Sequence, residues 1–406
     1  MGFSLRAYLD QKRRNLTDPV VVFPALPNLE AAAREREWRY RDILPATIQV
    51  CPGARALSED FLLWAERGHH LLRAHRDSRR GLIFGRNWAA YLHSVRRYRM
   101  DKVFCCQIPE ATITTGEGAI LTNRGEHATE GNFVASTVRK SQYARPRGQP
   151  KPGRYVPLLT IWGAKNMGHF FFDAMLRVTL FGDLADLLFL VPPVLQPWHR
   201  GLFEVAGIKP EQIVPADDAF TCVEEAVACH IATEGSMPRT ELLRRFREIA
   251  LANAMPTPPA RRNRRIFIDR SAAKRRKTAN QKDLEPVLAE RGFEIIQWEQ
   301  LSMPEQVRLA AETEIMAGPH GTSLLNSIYS RPGIKLLEII NPHWWDAATL
   351  RQCTLMGHEY WYCFGENVSP DYDTAISPRK LARVLDYMLD APVTDPLFDD
   401  LAKFAL

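Results

Sequence analysis

The sequence predicts an α/β protein of two domains, each a parallel sheet covered by helices. Three observations predict this. The chain has 406 residues, more than one core of ordinary size organises. From Tyr155 onward, short apolar runs alternate with amphipathic stretches of helical period, the rhythm of parallel strands joined by helical crossovers. That rhythm is interrupted by MPTPPARRN (255–263), a proline-rich break that reads as a linker. Two such domains leave a cleft, and ligands of open α/β sheets bind beyond the carboxyl ends of the strands.

The elements follow in order. Residues 1–100 mix charged and aromatic stretches, with helical periodicity in ARALSEDFLLWAERGHHLLRAHR (54–76). CQIPEATITTGEGAILTN (106–123) alternates around Gly116-Glu117-Gly118 and reads as a hairpin; strand on both sides makes the Gly-x-Gly a turn. ARPRGQPKPG (144–153) reads as a loop. YVPLLTIWG (155–163) is a strand, NMGHFFFDAMLRVTLFG a helix, LLFLVPP a buried strand, WHRGLFEVAG a helix and QIVPA a strand. Leu242–Ala254 is an amphipathic helix. Beyond the break, strands at RRIFIDR, FEIIQW, TEIMAG, IKLLEII and HEYWYCF alternate with helices at NQKDLEPVLAERG, MPEQVRLAAE, TSLLNSIYS and DAATLRQCTLMG. Ser302 with Glu305 spells a capping box, and SPRKLARVLDYMLD is a closing helix. The division expected is 1–254 (155–254 as a Rossmann-like part), a linker at 255–263, 264–375, and the closing helix within 376–406.

Composition bounds the function. Hydrophobic residues make up 46% and charged residues 25%, a soluble globular balance. The net charge of +6 is concentrated in RRNRRIFIDRSAAKRRK (261–277), which carries nine basic residues. Such a run attracts phosphate, on a nucleotide, a nucleic acid or a membrane surface. Its one aromatic, Phe267, sits in a buried-looking strand rather than among the basic residues, so no stacking platform is evident and no nucleic-acid partner is expected. Seven scattered cysteines (Cys51, Cys105, Cys106, Cys222, Cys229, Cys353, Cys363) form neither a disulfide framework nor a zinc pattern, which suits a reducing compartment. Without a signal-peptide core or a long apolar span, a cytoplasmic protein is expected, one whose basic face touches the inner face of the membrane.

The densest signal is AGPHGTSLLN (317–326), where a strand ends in Gly318-Pro319-His320-Gly321 and a helix opens on Thr322-Ser323. Unpartnered N–H groups and the helix dipole make such a junction a seat for phosphate.

From Ile266 to Ile340 the sequence resembles glycosyltransferase family 61. IDR (268–270) resembles that family's strand end, and Arg275 or Arg276 with Asn280 its step into the following helix. LSMPEQVRLAAETEIMAGPHGTSLLNSIY resembles its H-G core, LLEII its acidic strand, and NMGHFFFDAMLRV (166–178) its upstream N-x-x-H…D helix. Thr322-Ser323 stand where the family usually has Ala-Gly. The resemblance implies a GT-B architecture of two Rossmann-like domains with parallel sheets facing across a cleft. It implies donor nucleotide on the C-terminal domain, acceptor on the N-terminal one, and inversion without an essential metal or other cofactor.

Sugar transfer needs a stabilised diphosphate leaving group and a base for the acceptor hydroxyl. Arg270, Arg275 or Arg276, Asn280, His320, Gly321, Thr322 and Ser323 are the donor-side candidates, arginine because its planar fork meets two oxygens at once. Asn326 contacts the ligand or holds the loop's backbone. Glu338 accepts from ribose hydroxyls or serves a cap or ion pair. Asp371-Tyr372-Asp373 has a metal-binding spelling but reads as a surface turn. His169 and Asp173, spaced i, i+4 on one helix face, are the candidate base, alone or together. The expected partners are a nucleotide-sugar donor and a glycan or lipid-linked acceptor in surface or capsular polysaccharide assembly. The alternatives are another group transferase on this frame, such as a polysaccharide pyruvyl transferase, and a non-catalytic phosphate or nucleic-acid binder.

Overall fold

The computed structural model describes residues 25–26, 28–50, 55–57, 97–131, 148–217, 219–231, 238–257, 259, 262–344, 348–390 and 401–403. The helix expected at 54–76 lies outside them, save that Arg55–Leu57 is a strand. The described residues form two compact units. One takes those up to Ala46, Asp101–Phe203 and Ile208–Ser236; the other takes those of Thr47–Met100, Glu204–Gly207 and Met237 onward. Segment 255–263 and the helix Thr240–Ala254 before it both fall in the second unit.

The first unit contains α1 (Leu29–Arg36), β1 (Val103–Thr114), β2 (Lys151–Pro157), α2 (Met167–Asp173) and β3 (Leu187–Val191). After α3 (Pro197–Val205) come β4 (Ile213–Pro215) and β5 (Phe220–His230). Its sheet is mixed rather than parallel throughout. The central order is β1-β5-β2-β3-β4; β2, β3 and β4 are parallel, as are β2 and β5, but β5 runs antiparallel to β1. The expected hairpin is present: β1 turns back at residues 115–117 into Ile120–Leu121. Two boundaries differ from the sequence reading. β2 begins at Lys151, inside the expected loop, because Lys151 pairs with Val223 and Arg154 with Leu187. It ends at Pro157, so 158–163 is not strand. Strand β5 was not anticipated, since Glu224-Glu225 breaks its alternation. Those glutamates serve β2 instead: Glu224 accepts the Gly153 N–H at 2.7 Å and Glu225 pairs with Arg154 at 2.6 Å.

The second unit contains α4 (Thr240–Ala254), β6 (Arg264–Ile268), α5 (Gln281–Glu290), β7 (Phe293–Ile296), α6 (Met303–Ala311) and β8 (Thr313–Pro319). A 3-10 turn follows at Thr322–Tyr329, where an α-helix was expected. Then come β9 (Lys335–Ile340), α7 (Ala348–Met356), β10 (Glu359–Phe364) and α8 (Pro378–Met388). The strands lie in the order β7-β6-β8-β9-β10, all parallel. The strand after β6 is added on one side and all later ones on the other, so winding reverses between β6 and β8. Long buried runs in β8, β9 and β10 are what a sheet covered on both faces requires. Phe267, Leu337 and Trp361 pack there against Leu284, Leu381 and Leu385; cutting Phe267 to alanine costs about 3–5 kcal/mol on the usual scale for core aromatics. The capping box holds: Glu305 accepts from the Ser302 N–H at 2.7 Å and its hydroxyl at 2.6 Å.

Candidate active site

The reversal between β6 and β8 is the place where an open α/β sheet offers a crevice beyond its strand ends. β6 runs there into Asp269-Arg270, and β8 into His320-Gly321. The two ends touch. Arg270 donates from Nη1 to the Ser323 hydroxyl at 3.0 Å, and its guanidinium lies against the Cα of Gly321. A Cβ at 321 would stand 2.6 Å from Arg270 Nη1, and the backbone there has φ +153°, a conformation only glycine holds without strain. No side chain fits at 321 while Arg270 stays in place.

Among the described residues, Arg270 is a cation without a counterion. No carboxylate lies within ion-pair distance among the described residues, and its Nε is buried without a hydrogen-bond partner there. Burial pushes the guanidinium below its ordinary pKa, Arg276 adds to this, and Glu299 opposes it; arginine nonetheless stays charged. An unpaired buried cation is costly until an anion neutralises it. Its neighbour Asp269 is oriented away. Burial alone would raise that carboxyl, but hydrogen bonds from Gln297 and Ser271 hold it below the usual value.

His320 is buried and donates from Nδ1 to Glu338 at 2.7 Å. Glu338, read as accepting from ribose hydroxyls or serving a cap or ion pair, is 0% exposed and takes the ion-pair alternative. Its oxygens also accept from the hydroxyls of Thr349 at 2.6 Å and Tyr360 at 2.5 Å. A carboxylate with three donors only accepts, so the His320 proton is on Nδ1 and the ring is fixed in orientation. Asn326 holds protein rather than open space: its amide donates to Gln306 at 2.8 Å, and Gln306 donates to the carbonyls of Trp298 and Leu301. Asn280 clasps the backbone of Ile376 from both sides, at 2.9 and 3.1 Å.

The basic loop after Arg270 is pinned to the turn before α8. Lys277 N–H donates to Asp373 at 2.9 Å, Arg276 N–H donates to the Asp371 carbonyl, and Arg275 approaches the Asp371 carboxylate at 3.6 Å and the Tyr372 ring at 5.7 Å. Asp371-Tyr372-Asp373 is therefore part of a turn engaged by the loop's cations and amides.

The first unit brings the other pair together. Asn166 caps α2 by accepting from His169 N–H at 3.2 Å. One turn on, Asp173 meets His169 Nδ1 at 2.9 Å; the imidazole is 30% exposed and the carboxylate 0%. Asp173 Oδ1 is buried without a partner among the described residues. Burial pushes this carboxyl up, while the His169 hydrogen bond and the charge of Arg177 pull it down. Arg177 is buried and donates to the Pro157 carbonyl rather than pairing with Asp173. An exposed imidazole whose inner nitrogen is held by a buried carboxylate can take a proton at Nε2 and be stabilised as imidazolium.

Thr349, Tyr360 and Gln306 were not singled out from the sequence. The first two are joined to Glu338 only by folding, whereas Gln306 stands in the quoted LSMPEQ motif and was legible there.

The second unit's sheet thus reverses its winding where Arg270 and His320 stand, and a histidine–aspartate pair lies elsewhere in the chain. Residues 167–337 match the family model described as Glycosyltransferase 61. This segment belongs to glycosyltransferase family 61, and the chain is a glycosyltransferase, an enzyme with a donor and an acceptor substrate. No curated protein matches the chain. Among the described residues, no helix is long and apolar enough to cross a membrane.

Proposed function

We propose that the chain is an inverting, metal-independent glycosyltransferase of GT-B type. It moves a sugar from a nucleotide-sugar donor to a glycan or lipid-linked acceptor in the assembly of a surface or capsular polysaccharide. The single observation that carries the donor side is Arg270, a half-buried guanidinium at the switch point with no carboxylate partner among the described residues, packed on a glycine where any side chain would displace it. In this reading the donor diphosphate is the missing anion. Arg270, the Thr322 and Ser323 hydroxyls and the amides opening that turn take up charge as the glycosidic bond to phosphate breaks. His320, held by Glu338, addresses the same anion, and Arg275 or Arg276 extends the cationic rim. Inversion, independence of metal and the division of donor and acceptor between two lobes rest on the family resemblance. The engagement of Asp371 and Asp373 by the basic loop supports the cationic route.

On the acceptor side, His169 takes the proton of the attacking hydroxyl at Nε2 while Asp173 stabilises the imidazolium. The acceptor oxygen bonds to the anomeric carbon on the face opposite the departing diphosphate, so configuration inverts. The basic balance of the chain (+6) suits work at the anionic cytoplasmic face of a membrane.

The test is thermal stabilisation by UDP, GDP and CMP in turn, with EDTA present. A ligand at about 100 times its Kd adds about 2.7 kcal/mol to the folded state, several degrees in Tm. One nucleotide should stabilise, and the matching nucleotide-sugar should be consumed with inverted product stereochemistry by proton NMR. Stabilisation by none of the three contradicts the reading.

A further inference from the structure

We propose that Trp162 forms the floor of an acceptor subsite that takes a pyranose ring, so that the hydroxyl acted on belongs to a sugar and not to a serine or threonine. The inference rests on the reading of His169 as the base.

The turn between β2 and α2 is held rigidly. The Trp162 carbonyl accepts from the N–H groups of Lys165 at 3.2 Å and Asn166 at 3.1 Å. Gly163 N–H donates to the Thr160 carbonyl at 3.2 Å and hydroxyl at 2.9 Å, and its own carbonyl meets Nε2 of the buried His199 at 3.3 Å. A Cβ at 163 would lie 2.6 Å from the Thr160 hydroxyl, so the chain is drawn in too closely there for any other residue. This well-fixed turn nevertheless leaves two large apolar side chains in water, Ile161 at 47% and Trp162 at 48% exposure. Adjacent and on a rigid support, they present an apolar surface beside the His169 ring.

Its position says which ligand. The Trp162 indole lies 4.8 Å from the His169 ring, tilted by 44°. Asp173 occupies Nδ1, so a hydroxyl giving up its proton must reach Nε2 at hydrogen-bond distance. A group bonded to that hydroxyl then falls over or beside the indole. A pyranose offers what both neighbours need: a flat face of C–H groups for the aromatic ring and a rim of hydroxyls for the imidazole. Tryptophan, large and rigid with a polar edge, suits that contact. A peptide serine or threonine carries its hydroxyl one carbon from the backbone and has no comparable apolar face.

The full chain labelled with 5-fluorotryptophan tests this by fluorine NMR, the Trp162 signal being the one lost in Trp162→Phe. The titrants are the methyl pyranosides of glucose, galactose, mannose, N-acetylglucosamine and xylose, with sorbitol and a blocked serine as controls. At least one pyranoside should shift the Trp162 signal saturably while sorbitol and serine do not. Saturation-transfer NMR should show its affinity about tenfold weaker in Trp162→Ala, the scale of one lost aromatic contact. UDP, GDP or CMP stabilisation unchanged in that variant shows it folded. His169→Asn should keep the pyranoside-induced shift and lose transfer; retained transfer there would sink the base assignment while leaving the subsite standing. No shift with any pyranoside, equal shifts with sorbitol or serine, or undiminished affinity in Trp162→Ala would overturn the subsite itself.

Discussion

Each unit contains a histidine whose Nδ1 is held by a buried carboxylate, and the two pairs differ in ways that separate their chemistry. In the second unit His320 is nearly enclosed, and Glu338 has three protein donors on its two oxygens. That pair is fully satisfied. Its network fixes an orientation. In the first unit His169 is 30% exposed, and Asp173 keeps one oxygen buried and unmatched among the described residues. Burial pushes that carboxyl up. Holding a charge there is expensive, and a positive imidazolium beside it lowers the cost. An imidazole held by a carboxylate is thus enclosed as an orienting device in one place and, in the proposed reading, left open to an acceptor's proton in the other.

The largest effect expected belongs to neither pair but to Arg270. Arg270→Ala should lower turnover by about 10²–10³-fold, the usual loss on removing one donor to a developing anion. Arg270→Lys should recover little, because an ammonium lacks the planar fork. Steady-state kinetics with the donor that stabilises the protein would check both.

His169→Gln should cut turnover by about 10²-fold or more, the range of a lost general base, with nucleotide stabilisation of the fold intact. A matching loss in nucleotide stabilisation would erase the contrast between the pairs. Gly321→Ala should cost about 1–3 kcal/mol in urea unfolding, from a residue forced into a rare backbone conformation, and should also weaken nucleotide binding by displacing Arg270.

Tyr360→Phe sharpens the comparison from the other side. Removing one donor from the enclosed Glu338 should cost about 1–2 kcal/mol of stability and disturb turnover much less than His169→Gln does. A smaller signature lies in pH. The folded-state pKa of Asp173 is raised, so the folded protein binds that proton more tightly than the unfolded chain does. Its contribution therefore falls as pH rises from the ordinary carboxylate range through the folded pKa, and is level above it. Tm against pH for wild type minus Asp173→Asn should slope downward across that window; a flat or rising difference would show the carboxylate to be at ease.

Much of the second unit was legible, because a parallel sheet buried on both faces writes itself as near-continuous apolar runs such as IMAGP and LLEII. The first unit was less so. Strand β5 hides behind Glu224-Glu225, whose carboxylates serve a neighbouring strand's amide and arginine, and no local pattern announces such a cross-strand debt. In the site, Arg270, His320, Gly321 and Ser323 were found from their places at strand ends, and the structure does gather them. For Glu338 and Asn326 the sequence leaves a ligand contact and a structural role equally open, and for Asn280 it suggests the ligand; all three side chains bond to protein. A polar residue near a site reads the same in sequence whether it faces the ligand or the group behind it. Only the fold separates those two shells.

The account depends most on an anion meeting Arg270, and calorimetric titration in EDTA of wild type and Arg270→Ala with the stabilising nucleoside diphosphate tests that most directly. Saturable binding by the wild type, weakened by about 10²-fold or more in the variant as for a lost charge-assisted pair, is the predicted result. Equal affinity in the two proteins would contradict it.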